Sequence, residues 1–311
     1  MTADRPPVRV HMDGLPDRVR IWEVGPRDGL QNEPGIVPTA VKIALIERLI
    51  DAGLPVVEST SFVRADRIPQ LADGAEVMTR IRRVPGRRYP VLVPNLRGLE
   101  AAIAVDARDI AVFASATDSF AQRNLGRSLA EQMAMFGPVI SAAHDQDIPV
   151  RGYVSMCFGD PWEGAVDPEQ VADVCGELLA LGCGELSLGD TIGVATPGQV
   201  RQLLHVLDAR RVPVESIGVH FHDTYGQALS NSLAALQVGV TTVDSSAGGL
   251  GGCPYAESAT GNLATEDLVW MLDGLGVQTG VDLSALLDTS HWLSQTLHRP
   301  TPSRVGRALR G

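Results

Sequence analysis

Two histidines stand two residues apart in the run G-V-H-F-H-D-T-Y-G-Q, from Gly218 to Gln227. Side chains at i and i+2 of a strand face the same way, so His220 and His222 present two imidazoles side by side. Buried polar groups need partners. A divalent metal ion would serve both rings, and so would a polar, water-filled strand end. Other residues of suitable chemistry are spread along the chain: Arg27 and Asp28 in G-P-R-D-G, Glu58 in P-V-V-E-S-T, Asn95, Asp190 in S-L-G-D-T, Cys253 in the glycine-rich G-G-L-G-G-C-P-Y-A, and Asn262.

One carboxylate (Asp28), two imidazoles and one amide oxygen (Asn262) make a mixed oxygen and nitrogen set. Four such ligands leave two positions open on an octahedral ion. The set suits Mg2+ or Mn2+ and does not exclude Zn2+ or Co2+. Two open positions suit a chelating substrate such as a hydroxyl with a neighbouring carbonyl. Arg27 stays charged and offers a planar fork of donors, suited to a developing oxyanion or enolate. The same fork could instead bridge to Glu58 or Asp190 and stiffen the site, and both roles are compatible. Cys253 lies among glycines that allow close backbone approach. Its thiol is suited to general acid work, to nucleophilic attack, or merely to filling space. Cys157, Cys175 and Cys183 fall in apolar patterns and read as core.

These residues can act together only if the fold converges them. Short β-branched runs alternate with longer helical patterns. The strand-like runs begin at Arg20, Pro55, Tyr89, Asp109, Pro149, Gly184, Ile217 and Thr241. The helical patterns that follow them include Thr39 to Ala52, Pro69 to Arg82, Ser128 to His144, Pro168 to Leu181 and Pro197 to Ala209. Eight strand–helix units at a period of about thirty residues predict an α/β fold, the (β/α)8 or TIM barrel, which takes about 250 residues. The expected organisation is one catalytic domain over residues 1–311. The barrel spans about 18–280 after a short N-terminal lead-in, and an extra C-terminal helix and tail span about 281–311. In this fold the active site lies at the C-terminal ends of the strands. The candidates named above all fall there. The basic run R-I-R-R-V-P-G-R-R, Arg80 to Arg88, precedes the third strand at the opposite end and reads as a solvated loop. The last residues, R-P-T-P-S-R-V-G-R-A-L-R-G, read as a mobile tail, or as one that touches an anionic ligand.

The 311 residues are 44% hydrophobic and 20% charged, ordinary for a globular chain, with a net charge of −11. Such an acidic balance argues against nucleic acid or an anionic membrane as partner, though a local basic cluster can still receive a small anion. Four scattered cysteines without C-x-x-C spacing point to a reduced, cytoplasmic setting. Neither a secretory h-region nor a membrane-length apolar run is expected from the pattern.

The longest ordered pieces are V-G-P-R-D-G-L-Q-N-E (Val24 to Glu33), S-L-G-D-T-I-G-V (Ser187 to Val194), H-F-H-D-T-Y-G-Q-A-L (His220 to Leu229), D-S-S-A-G-G-L-G-G-C-P-Y-A (Asp244 to Ala256) and G-N-L-A-T-E-D (Gly261 to Asp267). On these pieces the chain resembles the 3-hydroxy-3-methylglutaryl-CoA lyase family, among the metal-dependent lyase and Claisen-type aldolase barrels. The resemblance covers nearly the whole chain. It implies a divalent-metal-dependent retro-Claisen cleavage to acetyl-CoA and acetoacetate, with a place in leucine breakdown. It maps the metal ligands onto Asp28, His220, His222 and Asn262. It makes Asp28 or His220 the base, Arg27 the enolate stabiliser and Cys253 the acid that protonates the carbanion, with Glu58 and Asp190 as orienting carboxylates. A homo-oligomer, commonly a dimer, goes with it. The chain departs from the family's pattern at Pro34, where lysine is common, at Arg64-Ala65-Asp66-Arg67, at Met156 and Asp160, and at Thr117-Asp118. The alternatives are the same chemistry on another branched 3-hydroxyacyl-CoA, and a synthase that condenses acetyl-CoA with a 2-oxo acid. Such synthases usually carry a longer C-terminal region.

Overall fold

The computed structural model describes residues 6–252 and 261–310. Its main sheet is entirely parallel. The strands are β1 (Arg20–Glu23), β2 in two pieces (Val56–Val57 and Thr60–Ser61), β3 (Val91–Leu92), β4 (Ile110–Ser115), β5 (Val150–Ser155), β6 (Glu185–Asp190), β7 (Ile217–Phe221) and β8 (Thr242–Ser245). β8 returns to β1 with the register Arg20↔Thr242 through Glu23↔Ser245, so the sheet closes into the expected barrel. β2 breaks where it changes partner: its first piece pairs with β1 and its second with β3. Glu58 sits in that break, its backbone N–H held by the Glu23 carbonyl at 2.8 Å.

The helices follow in the expected alternation. They are α1 (Thr39–Asp51), α2 (Gly74–Arg80), α3 (Leu96–Ala104), α4 (Asp118–Leu125), α5 (Leu129–His144), α6 (Pro168–Leu181), α7 (Pro197–Ala209), α8 (Ala228–Leu236) and α9 (Thr265–Gly274). Beyond the barrel come α10 (Leu283–Thr296) and α11 (Arg304–Arg310). Local chemistry explains where several start. Ser128 and Glu131 form a reciprocal capping box at α5. Asp167 caps α6 and Pro168 takes the first position, where its missing N–H costs nothing. α6 then buries Val171, Ala172, Val174, Cys175 and Leu178, a helical stripe, against the barrel.

Strand alternation sorts side chains into two layers. Outward residues such as Ile21, Val57, Val112, Val154, Leu188, Val219 and Val243 join the helices in one apolar cluster, which also holds Cys157, Cys175 and Cys183. Inward residues are largely polar: Ser187, Arg151 and Asp244 are all buried inside. Trp22 fills the interior, with the guanidinium carbons of Arg151, Arg88 and Arg20 at 4.0, 5.1 and 6.0 Å from its ring centre. Among the described residues, no helix is long and apolar enough to cross a membrane.

Three expectations need correction. The helix expected over Pro69–Arg82 is a 3-10 turn (Pro69–Leu71) followed by α2. At the break, the buried Lys42 ammonium takes the Gln70 carbonyl and lies 2.7 Å from Asp73 Oδ1, which diverts these groups from a continuous helix. The basic run before β3 is not simply solvated. Arg88 pairs with Asp109 at 2.6 Å and Glu185 at 3.3 Å, and Arg83 donates to the Asp106 and Val105 carbonyls. The C-terminal tail is not loose either, because Ser303 and the turn into α11 are fixed on Asp267.

Candidate active site

At the end of β1 the chain makes a single wide turn, Gly25–Gly29. The N–H groups of Arg27, Asp28 and Gly29 all converge on the Val24 carbonyl, at 3.1, 2.8 and 3.1 Å. The turn tips Arg27 and Asp28 over the barrel mouth. It needs glycine at both ends: a Cβ on Gly25 would lie 2.5 Å from Glu23 Oε1, and one on Gly29 would lie 2.8 Å from Ser246 Oγ.

Across the mouth, β7 delivers His220 and His222, with ring centres 5.4 Å apart. Ligand atoms of Asp28, His220 and His222 all lie within 4.8 Å of one another, the spacing of groups that share one ion. Asn262 joins them from the chain entering α9. Its Nδ2 donates to Asp28 Oδ2 at 2.8 Å and to the Leu250 carbonyl at 3.0 Å. Among the described residues its Oδ1 is buried with no hydrogen-bond partner, and so is Nδ1 of His222. Two orphaned buried acceptors beside a carboxylate and a second imidazole fit a divalent cation, which would satisfy both. Burial, and then the neighbouring His220, hold the His222 ring down at about 4, so it stays neutral and able to donate a lone pair. Asp28 is held at about 2: burial opposes the charge, but Arg27 and the two histidines outweigh it.

Behind this cluster runs a continuous chain of buried polar contacts. Arg27 Nε meets Glu58 Oε1 at 2.5 Å, and its Nη1 meets Asp28 Oδ1 at 2.8 Å. Neither contact uses Nη2. Burial works against the guanidinium, but Glu58 and Asp28 overcome it and raise its pKa above the ordinary value. Glu58 also accepts from Trp22 Nε1 at 3.1 Å and from the Tyr153 hydroxyl. Arg151 donates to Tyr153 Oη at 3.3 Å and to Asp244 Oδ1 at 2.7 Å. Asp244 accepts from Ser187 at 2.8 Å and lies 3.3 Å from His220 Nδ1. A carboxylate behind one ring nitrogen fixes the tautomer and leaves the other nitrogen facing Asp28.

The structure thus gathers Arg27, Asp28, Glu58, His220, His222 and Asn262 around one mouth. Asp190 stands apart. Its backbone carbonyl accepts the His222 N–H at 3.4 Å, but its carboxylate accepts the N–H groups of Val194 and Ala195, each at 3.0 Å, shaping the turn after β6. Burial pushes its carboxyl up to about 6. Asn95 caps α3 through the N–H of Gly98. Cys253 lies outside the described residues. Sequence reasoning passed over Tyr153, Arg151, Ser187, Asp244 and Glu23. A signal existed for two of them, because Arg151 and Tyr153 stand two apart in a buried strand, as the histidines do.

Glu23 anchors the far side of the β1 turn. Its carboxyl accepts from Gly25 N at 2.8 Å, Ala247 N at 2.9 Å and Thr265 Oγ1 at 2.6 Å, and burial still pushes it up to about 7. An acid with a raised folded pKa contributes stability that is full below its unfolded value, near 4.5, and is lost as pH rises through about 7. Glu23→Gln keeps the two acceptor contacts and can donate to Thr265, which then turns to Ser245. The variant's unfolding free energy should fall less steeply with pH across this window, by one proton or ~1.4 kcal/mol per pH unit. Denaturant titrations at three pH values test this, and parallel slopes would mean that Glu23 does not titrate there.

A cavity of about 1090 Å3 opens over the cluster. Its floor is Arg27, Asp28, Tyr153, His220 and His222; its walls include Leu92, Phe113 and Met135, and its rim carries Arg64, Arg67, Arg123 and Arg127. Residues 18–293 match the family model described as HMGL-like. The chain is 53% identical to the mitochondrial hydroxymethylglutaryl-CoA lyase of Rattus norvegicus over 297 residues, covering 96% of this chain and 91% of that protein. It is 52% identical to the cytoplasmic 3-hydroxy-3-methylglutaryl-CoA lyase of Mus musculus, covering 96% of this chain and 86% of that one. The crystal structure of hydroxymethylglutaryl-CoA lyase from Pseudomonas aeruginosa superposes with a TM-score of 0.93 at 49% identity, covering 95% of this chain and 98% of that one.

Proposed function

Because this chain belongs to the HMGL-like family, we infer that it is a carbon–carbon lyase that cleaves 3-hydroxy-3-methylglutaryl-CoA to acetyl-CoA and acetoacetate. The observation that carries the reading is the pairing of a donor set fit for one divalent cation with an edge of Arg27, unused by Glu58 and Asp28, at the floor of a large cavity. The rim supports an acyl-CoA substrate: four arginines border the cavity of a chain whose net charge is −11, a local reversal of field suited to phosphates. Of these, Arg64 is paired with Asp66 at 2.7 Å, which leaves Arg67 as the added charge of the departing segment Arg64–Arg67.

Of the remaining departures, Pro34 borders the cavity and the others do not. Thr117 and Asp160 meet each other, Oγ1 to Oδ2 at 2.6 Å, and Asp160 also takes the N–H groups of Trp162 and Glu163. Neither side chain borders the cavity, nor do Met156 and Asp118. Thr117, Met156 and Asp160 are buried beside the barrel, and 53% identity to a hydroxymethylglutaryl-CoA lyase over 96% of the chain favours the substrate of the relatives over another branched acyl thioester.

In the mechanism we propose, Asp28, His220, His222 and Asn262 hold the cation. Bound there, it supplies Lewis-acid polarisation that lowers the pKa of the substrate's tertiary hydroxyl. Asp28 or His220 receives the hydroxyl proton. The oxygen's electron pair becomes the ketone of acetoacetate as the C2–C3 bond breaks, and the bond's electrons pass into the thioester enolate. Arg27 faces that enolate oxygen with its charge pinned by Glu58. Cys253 delivers a proton to the enolate carbon and releases acetyl-CoA. Mg2+ or Mn2+ is the ion we expect, from a mixed oxygen and nitrogen donor set that leaves two octahedral positions open.

The direct test is cleavage of 3-hydroxy-3-methylglutaryl-CoA, followed as acetoacetate, with Mg2+ or Mn2+ and with chelator. Metal-dependent release supports the reading; no release from metal-loaded protein defeats it. Cys253→Ser should keep Mn2+ stoichiometry and lose at least about 10²-fold in kcat, the usual worth of a positioned acid. Turnover within a few-fold of the parent would demote Cys253 to a space-filling residue.

A further inference from the structure

The basic C-terminal segment takes no part in the chemistry proposed above, yet it is tied to each loop that carries it. Arg299 Nη1 lies 2.8 Å from Glu33 Oε1, on the loop five residues past Asp28, where the Glu33 side chain is only 7% exposed. Thr301 Oγ1 donates to the Gly248 carbonyl at 3.1 Å, at the root of the loop after β8. Ser303 Oγ and the N–H groups of Arg304 and Val305 converge on the Asp267 carboxylate at 2.7, 3.1 and 2.8 Å. Asp267 stands five residues past Asn262, in the first turn of α9. Arg304 Nη1 lies 2.8 Å from Asp223 Oδ2, on the residue directly after His222. The other oxygen of Asp223 takes the N–H of Ala228 at the start of α8.

Residues 299–305 therefore touch four separate segments, and the contacts to Glu33, Asp223 and Asp267 each fall within five residues of a candidate ligand. We propose that residues 299–305 act as a strap that sets the spacing of the β1, β7 and α9 loops, and thereby the readiness of Asp28, His222 and Asn262 for one divalent cation. The proposal rests on the ligand set assigned above. The strap residues are positioning residues, because none reaches the cation cluster itself. Arg299 and Arg304 are partly exposed, so each ion pair is weak alone and the effect needs several contacts removed together.

The test is a Mn2+ titration of the full chain, with free ion read by electron paramagnetic resonance. The variants are the triple Arg299→Ala, Thr301→Val, Arg304→Ala, and the exchange Glu33→Arg with Arg299→Glu alongside its single parents. The triple should bind Mn2+ about tenfold more weakly, the scale of losing support behind a ligand. Its far-UV circular dichroism should be unchanged. The Mn2+ concentration for half-maximal activity should rise by about the same factor while kcat at saturating Mn2+ holds, because the ligands themselves remain. Arg299→Glu does more than remove a pair, because it sets a second carboxylate against the nearly buried Glu33; it should weaken Mn2+ binding and the exchange should restore it. Parent-like Mn2+ affinity in the triple overturns the strap. Should the triple not fold, Arg299→Glu decides: unchanged affinity there overturns it equally. A parent chain that binds no Mn2+ overturns the ligand set, and the strap with it.

Discussion

Arg27→Gln is expected to cut kcat by roughly 10²–10³-fold, the cost of removing one preorganised donor from a developing oxyanion. The Michaelis constant should move much less, because the enolate charge develops only after binding. The surroundings argue for the upper end. Glu58 lies wholly buried and is held by Arg27, Trp22 and Tyr153; only Arg27 brings a full positive charge. Removing it leaves a carboxylate in the barrel without its counter-ion, a destabilisation of about 3–5 kcal/mol. Arg27→Lys separates the two effects. It keeps the charge near Glu58 but loses the planar fork that reaches Glu58, Asp28 and the cavity at once. Stability should then return while kcat stays low. A kcat for Arg27→Gln within tenfold of the parent would take the enolate role away from this residue.

His222→Ala should abolish both Mn2+ binding and turnover. The loss of affinity should exceed the about 10–100-fold that follows from losing a group behind a ligand. The apoprotein tells a different story. Among the described residues Nδ1 of His222 is buried without a partner, which itself costs about 1–3 kcal/mol in the absence of a cation. Removing that ring relieves one penalty while opening a cavity, so the metal-free unfolding midpoint should shift little. The parent should gain stability on adding Mn2+ and the variant should not. Equal Mn2+ stoichiometry in the two proteins would remove His222 from the ligand set.

The barrel and the mouth were legible because both depend on local periodicity. Alternating strand and helix patterns place every strand end at one face, and residues at those ends need no further information to meet. That is how Arg27, Asp28, His220, His222 and Asn262, up to 235 positions apart in the chain, could be put together. What was not legible depends on pairing across the barrel. Asp244 reads as an ordinary strand residue until Arg151, 93 positions earlier, is seen beside it. Asp190 sits at a strand end like the others, but its carboxyl turns to its own loop's N–H groups. The tail read as mobile because proline and arginine suggest solvent, and its acidic partners Glu33, Asp223 and Asp267 are remote in sequence. The Gly25–Gly29 turn left only its glycine spacing as a trace.

The polar chain beneath the mouth also fixes an order of events. With both imidazoles neutral, it holds two guanidiniums, Arg27 and Arg151, against three carboxylates, Asp28, Glu58 and Asp244. Burial opposes a charge on His220, but Asp244 and Asp28 outweigh it and raise the ring's pKa; once that ring has lost its proton the throat is one unit negative, the wrong sign for an acyl group that ends in a carboxylate. A divalent cation makes it one unit positive. Loading should thus be sequential, cation first and thioester second, with the arginine rim holding the thioester's phosphates in either state. Chelator-treated protein should retain affinity for free coenzyme A and lose it for the acyl head, a difference that competitive binding of the two reads directly.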